Sequence, residues 1–379
     1  MKATKFSKGN FTLWLGFAVT LIGSLSYFLQ FNPLARFFDP RQPGLYIVLG
    51  GLAMSVIGLG LGIRRAPINW RRNLGAPIFV SSLVLAGFYI ANTFFVFQEE
   101  EVHFTNGEVK LAGTLMIPNG QGSHPAVILM HGSGPETRAG YRVNANYFIR
   151  QGLAVLNYDK RGAGASIGGH PRDSYEALAR DALAGLAYLQ SRPEIDPTQI
   201  GLWGQSEGGW TAPLAASLSD DVAFLIVISG GGVTPKEQGY FEDTSRSAGY
   251  VVDAFELIEG LSPEWHEADK SFDALPIIEQ LDIPMLFIDG ENDVLVPGKL
   301  NTARISNVLN AAGHKDFMVK VFPDATHGLM AAPSPCSICM PNDEIGPILP
   351  WYVSGYWETV TEWVTEHVAV NSEAADVVR

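Results

Sequence analysis

The chain has 379 residues, of which 47% are hydrophobic and 17% charged, with two cysteines and a formal net charge of −13. So apolar a composition excludes a disordered or fibrous chain, and two cysteines exclude a disulfide scaffold. The acidic balance argues against a nucleic-acid partner.

The charge is unevenly spread. Residues 1–98 hold nine Lys/Arg and one acidic residue, Asp39, a net of +8, whereas residues 99–379 hold 17 basic and 38 acidic residues, a net of −21. Such asymmetry predicts two environments, a basic membrane region over 1–98 and an acidic domain over 99–379. Three runs, 11–31, 45–63 and 74–97, carry no charge at all. Each approaches the ~20 residues that span a bilayer core, so three transmembrane helices in contact with a lipid bilayer are expected. The glycines of the second run suit close helix approach.

Lys2, Lys5 and Lys8 precede the first run, and Arg64, Arg65, Arg71 and Arg72 separate the second from the third. Only Arg36 and Arg41 separate the first from the second. Seven basic residues against two predict a cytoplasmic N-terminus and a multi-pass protein of the cell membrane, its 99–379 domain extracytoplasmic. The first run is too long for the apolar core of a signal peptide and no A-x-A site follows, so it reads as uncleaved.

From residue 102 short apolar runs alternate with helical stretches. Strands are expected at 102–105 and 109–117, joined by Asn106-Gly107, a strong hairpin turn. Further strands follow at 126–130, 153–158, 199–203, 223–229, 284–289 and 317–322, most of them apolar on both faces. That is the signature of a parallel sheet covered on two sides. Helices are expected at 144–151, 174–191, 208–219, 299–312 and 356–368. The alternation predicts a doubly wound, mostly parallel α/β domain. Residues 231–282, acidic and aromatic, interrupt it as a cap insert. A second insert, 331–355, is rich in proline and holds Cys336 and Cys339.

Gly204-Gln205-Ser206-Glu207-Gly208 follows one predicted strand and opens a helix, the context in which G-x-S-x-G presents a nucleophile. A serine hydroxyl needs a base. Of the eight histidines, only His327 follows the last strand, at the sheet edge where Ser206 emerges; His314 belongs to the opposite edge, and His367 and His103 to the last helix and the first hairpin. The imidazole needs an orienting acid. Asp293, in the loop after strand 284–289, is preferred to Glu291 and Asp289, in the chain order Ser…Asp…His. An oxyanion would need N–H donors, expected from the backbone of Glu207 and of Ser133, in His131-Gly132-Ser133-Gly134 after strand 126–130. His131 reads as a structural hydrogen-bonding residue.

These blocks, with Asp159-Lys160-Arg161-Gly162-Ala163-Gly164-Ala165-Ser166, resemble the α/β-hydrolase superfamily over about 102–370. Within it the chain is similar to bacterial serine esterases related to the prolyl-oligopeptidase and dienelactone-hydrolase groups. The resemblance implies a serine hydrolase with Ser206, Asp293 and His327 as catalytic residues and a small-molecule ester or acyl substrate. A thioesterase or aminopeptidase could use the same residues, although the chain has no room for an oligopeptidase propeller. A non-catalytic, membrane-anchored binding protein is the alternative of another class. No cofactor is expected, since Walker and dinucleotide fingerprints are missing, and no metal, since no ligand cluster such as H-E-x-x-H occurs. Cys336 and Cys339 read as a local disulfide if the domain lies outside the cytoplasm.

Overall fold

The computed structural model describes residues 8–29, 41–65, 76–94, 96–247, 267–332 and 352–368. The chain divides into two units, Met1–Gln98 and Glu99–Arg379.

Among its described residues the first unit holds three helices, α1 (Lys8–Leu29), α2 (Arg41–Arg65) and α3 (Ala76–Phe94). Small residues bring α1 and α2 together: a Cβ on Gly16 would lie 2.4 Å from the Ser55 nitrogen, and one on Gly51 2.4 Å from that of Thr20. The buried hydroxyls of Ser55 and Ser82 lie 3.2 Å apart, each also within 3.0 Å of a carbonyl one turn back. The helices form, but the expectation of three transmembrane spans at 11–31, 45–63 and 74–97 is overturned. Among the described residues no helix is long and apolar enough to cross a membrane. With it goes the support for a multi-pass membrane location, bilayer contact and an extracytoplasmic domain. The physical reason is that an uncharged run is not the same as an apolar one. Thr12, Thr20, Ser24 and Ser26 dilute α1, and Ser55 with Gly50, Gly51, Gly58, Gly60 and Gly62 dilutes α2.

The second unit is built on eight strands: β1 (Phe97–Asn106), β2 (Val109–Pro118), β3 (His124–Met130), β4 (Ala154–Tyr158), β5 (Ile195–Gln205), β6 (Leu225–Ile228), β7 (Met285–Gly290) and β8 (Phe317–Phe322). They form one sheet in the order β1-β2-β4-β3-β5-β6-β7-β8. The β2–β4 pair is antiparallel and every pair from β4 to β8 is parallel. Every residue of β3, β4, β6 and β7 is buried, so both faces need covering, and helices supply it. These are α4 (Arg142–Arg150), α5 (Tyr175–Gln190), α6 (Gly208–Ser217), α10 (Gly298–Ala312) and α11 (Tyr356–His367), with α7 (Pro235–Ser247), α8 (Glu267–Lys270) and α9 (Leu275–Ile278) in the 231–282 segment.

Two features of this topology position a site. The chain leaves β3 for β4 on one side, then returns past β3 to place β5 on the other. The reversal leaves a crevice between β3 and β5 at their carboxyl ends, where open α/β sheets bind ligands. Met130 and Gly204, at those two ends, are register partners. The second feature is the pairing of the described residues around His327, where Ala325 bridges Ala331, Met330 bridges Tyr352, and the Val353 amide donates to Leu329 O at 2.8 Å. Cys336 and Cys339, with the disulfide expected of them, lie outside the described residues.

Candidate active site

β5 ends in a sharp reversal at Ser206, whose φ of +56° lies in the left-handed region. Its amide donates to Ile228 O at 2.9 Å, and its carbonyl accepts from the Gly209 amide at 2.7 Å. The glycines of the motif answer a demand for space: a Cβ on Gly204 would lie 2.2 Å from Gly208 O, and one on Gly208 2.8 Å from Met130 O. Ser229, Asp324 and Leu329 are the other non-glycine residues with positive φ among those described. The first ends the neighbouring strand and the other two flank His327.

His327 and Asp293 are brought together. Nδ1 of His327 lies 2.8 Å from Asp293 Oδ2. The other carboxylate oxygen accepts the amides of Leu295 at 2.8 Å and Val296 at 2.9 Å. A carboxylate can only accept, so Nδ1 carries the proton and Nε2 keeps its lone pair. The Asp293 side chain is wholly buried, while that of His327 keeps 14% of its surface exposed. Burial acts to lower the His327 pKa, but the charge and hydrogen bond of Asp293, helped by Glu242, outweigh it and raise it above 6.5. The His327 carbonyl accepts from Ser229 Oγ at 2.9 Å and from Gln205 Nε2 at 3.5 Å. The histidine loop is thereby tied to the end of β6 and to the residue beside Ser206.

The rival acids are engaged elsewhere. Glu291 pairs with Lys299 at 2.6 Å on the surface. Asp289 is buried against Asn301, at 3.0 and 3.2 Å, and burial holds its carboxyl well above the usual range. His314 borders a surface cavity of about 390 Å³ with Asp282, Pro284 and Asp316, ahead of β7 and β8 and so at the other sheet edge.

The loop after β3 abuts the turn at Ser206: a Cβ on Gly132 would lie 3.5 Å from Ser206 Cβ. The Gly132 amide is occupied by Tyr141 Oη at 2.7 Å. Among the described residues, the amides of Ser133 and Glu207 donate to no protein acceptor. His131 Nε2 lies 2.6 Å from Tyr158 O, and its ring meets Tyr141 and Tyr158 edge-on. Burial, then the nearby charge of Lys160, pushes its pKa down to about 3. It stays neutral and holds the strand ends.

Sequence reasoning missed the carboxylate of Glu207 and the ammonium of Lys160, which form a buried ion pair directly behind this loop. Burial raises the Glu207 carboxyl against the pull of Lys160. It also missed Tyr141 and Ser229. Among the described residues, no group of three His, Cys, Asp or Glu side chains could hold a metal ion.

Residues 184–351 match the family described as BAAT / acyl-CoA thioester hydrolase C terminal. The thiohydrolase aneE of Aspergillus aculeatus is 34% identical over 131 residues, 34% of this chain and 40% of its own. The esterase EstD of Thermotoga maritima is 26% identical over 258 residues, 61% of this chain and 60% of its own. This chain thus spans less than two thirds of either relative's length. Among solved structures, a Pyrococcus furiosus esterase superimposes with a TM-score of 0.52 at 20% identity, covering 72% of this chain and 92% of that one. The structural likeness carries the fold, and these two relatives are named as a thiohydrolase and an esterase.

Proposed function

We propose that this chain, a member of the α/β-hydrolase superfamily, hydrolyses carboxylic esters through an acyl-enzyme formed on Ser206. The observation that carries the reading is the 2.8 Å contact of His327 Nδ1 with a carboxylate whose other oxygen is pinned by two backbone amides. It holds the imidazole in the tautomer a general base needs, in a loop tied to the residue preceding Ser206.

In this reading Ser206 Oγ attacks the acyl carbon and passes its proton to His327 Nε2. The oxyanion is received by the N–H groups of Ser133 and Glu207, free of other protein acceptors among the described residues. Asp293 stabilises the imidazolium, which then protonates the departing alkoxide. A water molecule, deprotonated by the same nitrogen, attacks the acyl-enzyme; collapse of that second tetrahedral intermediate releases the acid and restores Ser206. Residues 231–247, the described start of the segment expected as a cap, lie against the acid loop, where Gln238 Nε2 donates to Leu295 O at 3.1 Å. Thioesters are the second reading, because the matched thioester-hydrolase segment, 184–351, contains Ser206, Asp293 and His327; thiolate would then replace alkoxide as the leaving group.

The test is labelling by a fluorophosphonate together with turnover of nitrophenyl esters and their thioester analogues, in graded acyl lengths. Ser206→Ala should abolish labelling and lower kcat by about 10⁴–10⁶. A Ser206→Ala protein that turns over like the parent would end the reading, and the ester-to-thioester ratio of the parent decides between the two substrate classes.

A further inference from the structure

The buried pair of Lys160 and Glu207 has no step in the mechanism above, yet it holds the peptide group that carries one of the backbone donors invoked there and the side chain of the residue that carries the other. Lys160 is 2% exposed and Glu207 5%. The Lys160 ammonium is paired with the Glu207 carboxylate and donates to Gly132 O at 2.9 Å. Gly132 O and the Ser133 N–H are the two ends of a single peptide group. In a trans peptide these ends point in opposite directions. An ammonium that grips the oxygen therefore fixes the direction of the N–H on the far side. The neighbouring Gly132 amide cannot substitute for it, being committed to Tyr141 Oη. The same ammonium anchors the side chain of Glu207, whose own N–H is the other donor.

We propose that Lys160 is a positioning residue for the oxyanion pocket, orienting and polarising the Gly132–Ser133 peptide and anchoring the residue that carries the second donor. The proposal rests on the acyl-enzyme reading. A hydrogen bond to a peptide oxygen strengthens the donor at the other end of that peptide, and the effect is larger where water is excluded. A buried ion pair contributes little net stability compared with apolar side chains of similar volume. Its consequence here falls on the transition state, where the oxyanion exists, and leaves ground-state binding alone.

The experiment uses the full chain with Lys160→Met and with the double variant Lys160→Met/Glu207→Gln, which removes both buried charges and survives if the single variant does not fold. Active sites are counted by fluorophosphonate titration, so that rates refer to folded, reactive enzyme. Expected is a kcat per titrated site about 10- to 100-fold below the parent, with KM nearly unchanged. Affinity for an ester-like trifluoromethyl ketone, which adds to the serine and bears an oxyanion, should fall in the same proportion. Retention of parental kcat per titrated site would overturn the proposal, as would an effect confined to KM or an unchanged ketone affinity. Failure of the acyl-enzyme reading shows separately, as turnover that persists in Ser206→Ala, before either lysine variant is examined.

Discussion

Asp293→Asn is the sharpest test of the proposed acid. One oxygen of Asp293 accepts two backbone amides, from Leu295 and Val296, and the other meets His327. An asparagine here has to present its oxygen to those two amides. The flipped amide would set its NH₂ against them and leave two buried donors unmet, at about 1–3 kcal/mol each. The NH₂ group then faces His327 Nδ1, which has to accept, and the ring proton moves to Nε2. That is the atom required to take the proton of Ser206. The expected loss at neutral pH is about 10⁴ in kcat, or about 5.5 kcal/mol of transition-state stabilisation. The fold should persist, since size and amide contacts are kept. Steady-state hydrolysis of a nitrophenyl ester, with thermal melting as the check on folding, measures both. Glu291→Gln, which disturbs only a surface pair with Lys299, should stay within about twofold of the parent. Near-parental turnover of Asp293→Asn, or a severe loss in Glu291→Gln, would refute the reasoning.

Two further outcomes follow from the same geometry. His327 has to be neutral to act as base and its pKa is raised above 6.5, so kcat/KM should climb with pH through a midpoint above 6.5; in Asp293→Asn only Glu242 opposes the effect of burial, and any residual limb should move below the parental midpoint. A parental midpoint under 6.5 would contradict the assignment. Gly204→Ala, whose Cβ would lie 2.2 Å from Gly208 O, should cost more than about 3 kcal/mol in urea unfolding, whereas Gly239→Ala, in α7 with nothing within 4 Å, should be neutral or stabilising; equal midpoints would show that the turn can relax.

The strands were legible because most are buried on both faces and so read as unbroken apolar runs. β5 starts at Ile195, four residues before its apolar run, because Asp196, Pro197 and Thr198 mask it; its pairing with β3 also shifts register there. Ser206 stands out through the glycines that its turn requires. Asp293 was preferred to Glu291 and Asp289 for its place in the loop after the strand, since chain order is the same for all three; what distinguishes them is contact, with His327, Lys299 and Asn301 respectively. Lys160 was invisible as a functional residue although its Asp-Lys-Arg-Gly block was plain. Its partners lie 28 and 47 residues away, and no local pattern encodes such a meeting. The membrane expectation failed for a different reason. Counting charges ignores the glycines and hydroxyls that fill those runs, and it is these that mediate the helix contacts of the first unit.

The left-handed backbone at Ser206, Ser229, Asp324 and Leu329 has an evolutionary consequence. A side chain in that conformation costs about 1 kcal/mol relative to glycine. Ser206 is the proposed nucleophile, Ser229 donates its hydroxyl to the His327 carbonyl, and Asp324 and Leu329 stand on either side of His327 in the chain. A laboratory selection that rewarded heat tolerance alone would therefore enrich glycine at these sites. The lineage it produced would melt later and react more slowly, because durability and turnover draw on the same few torsions.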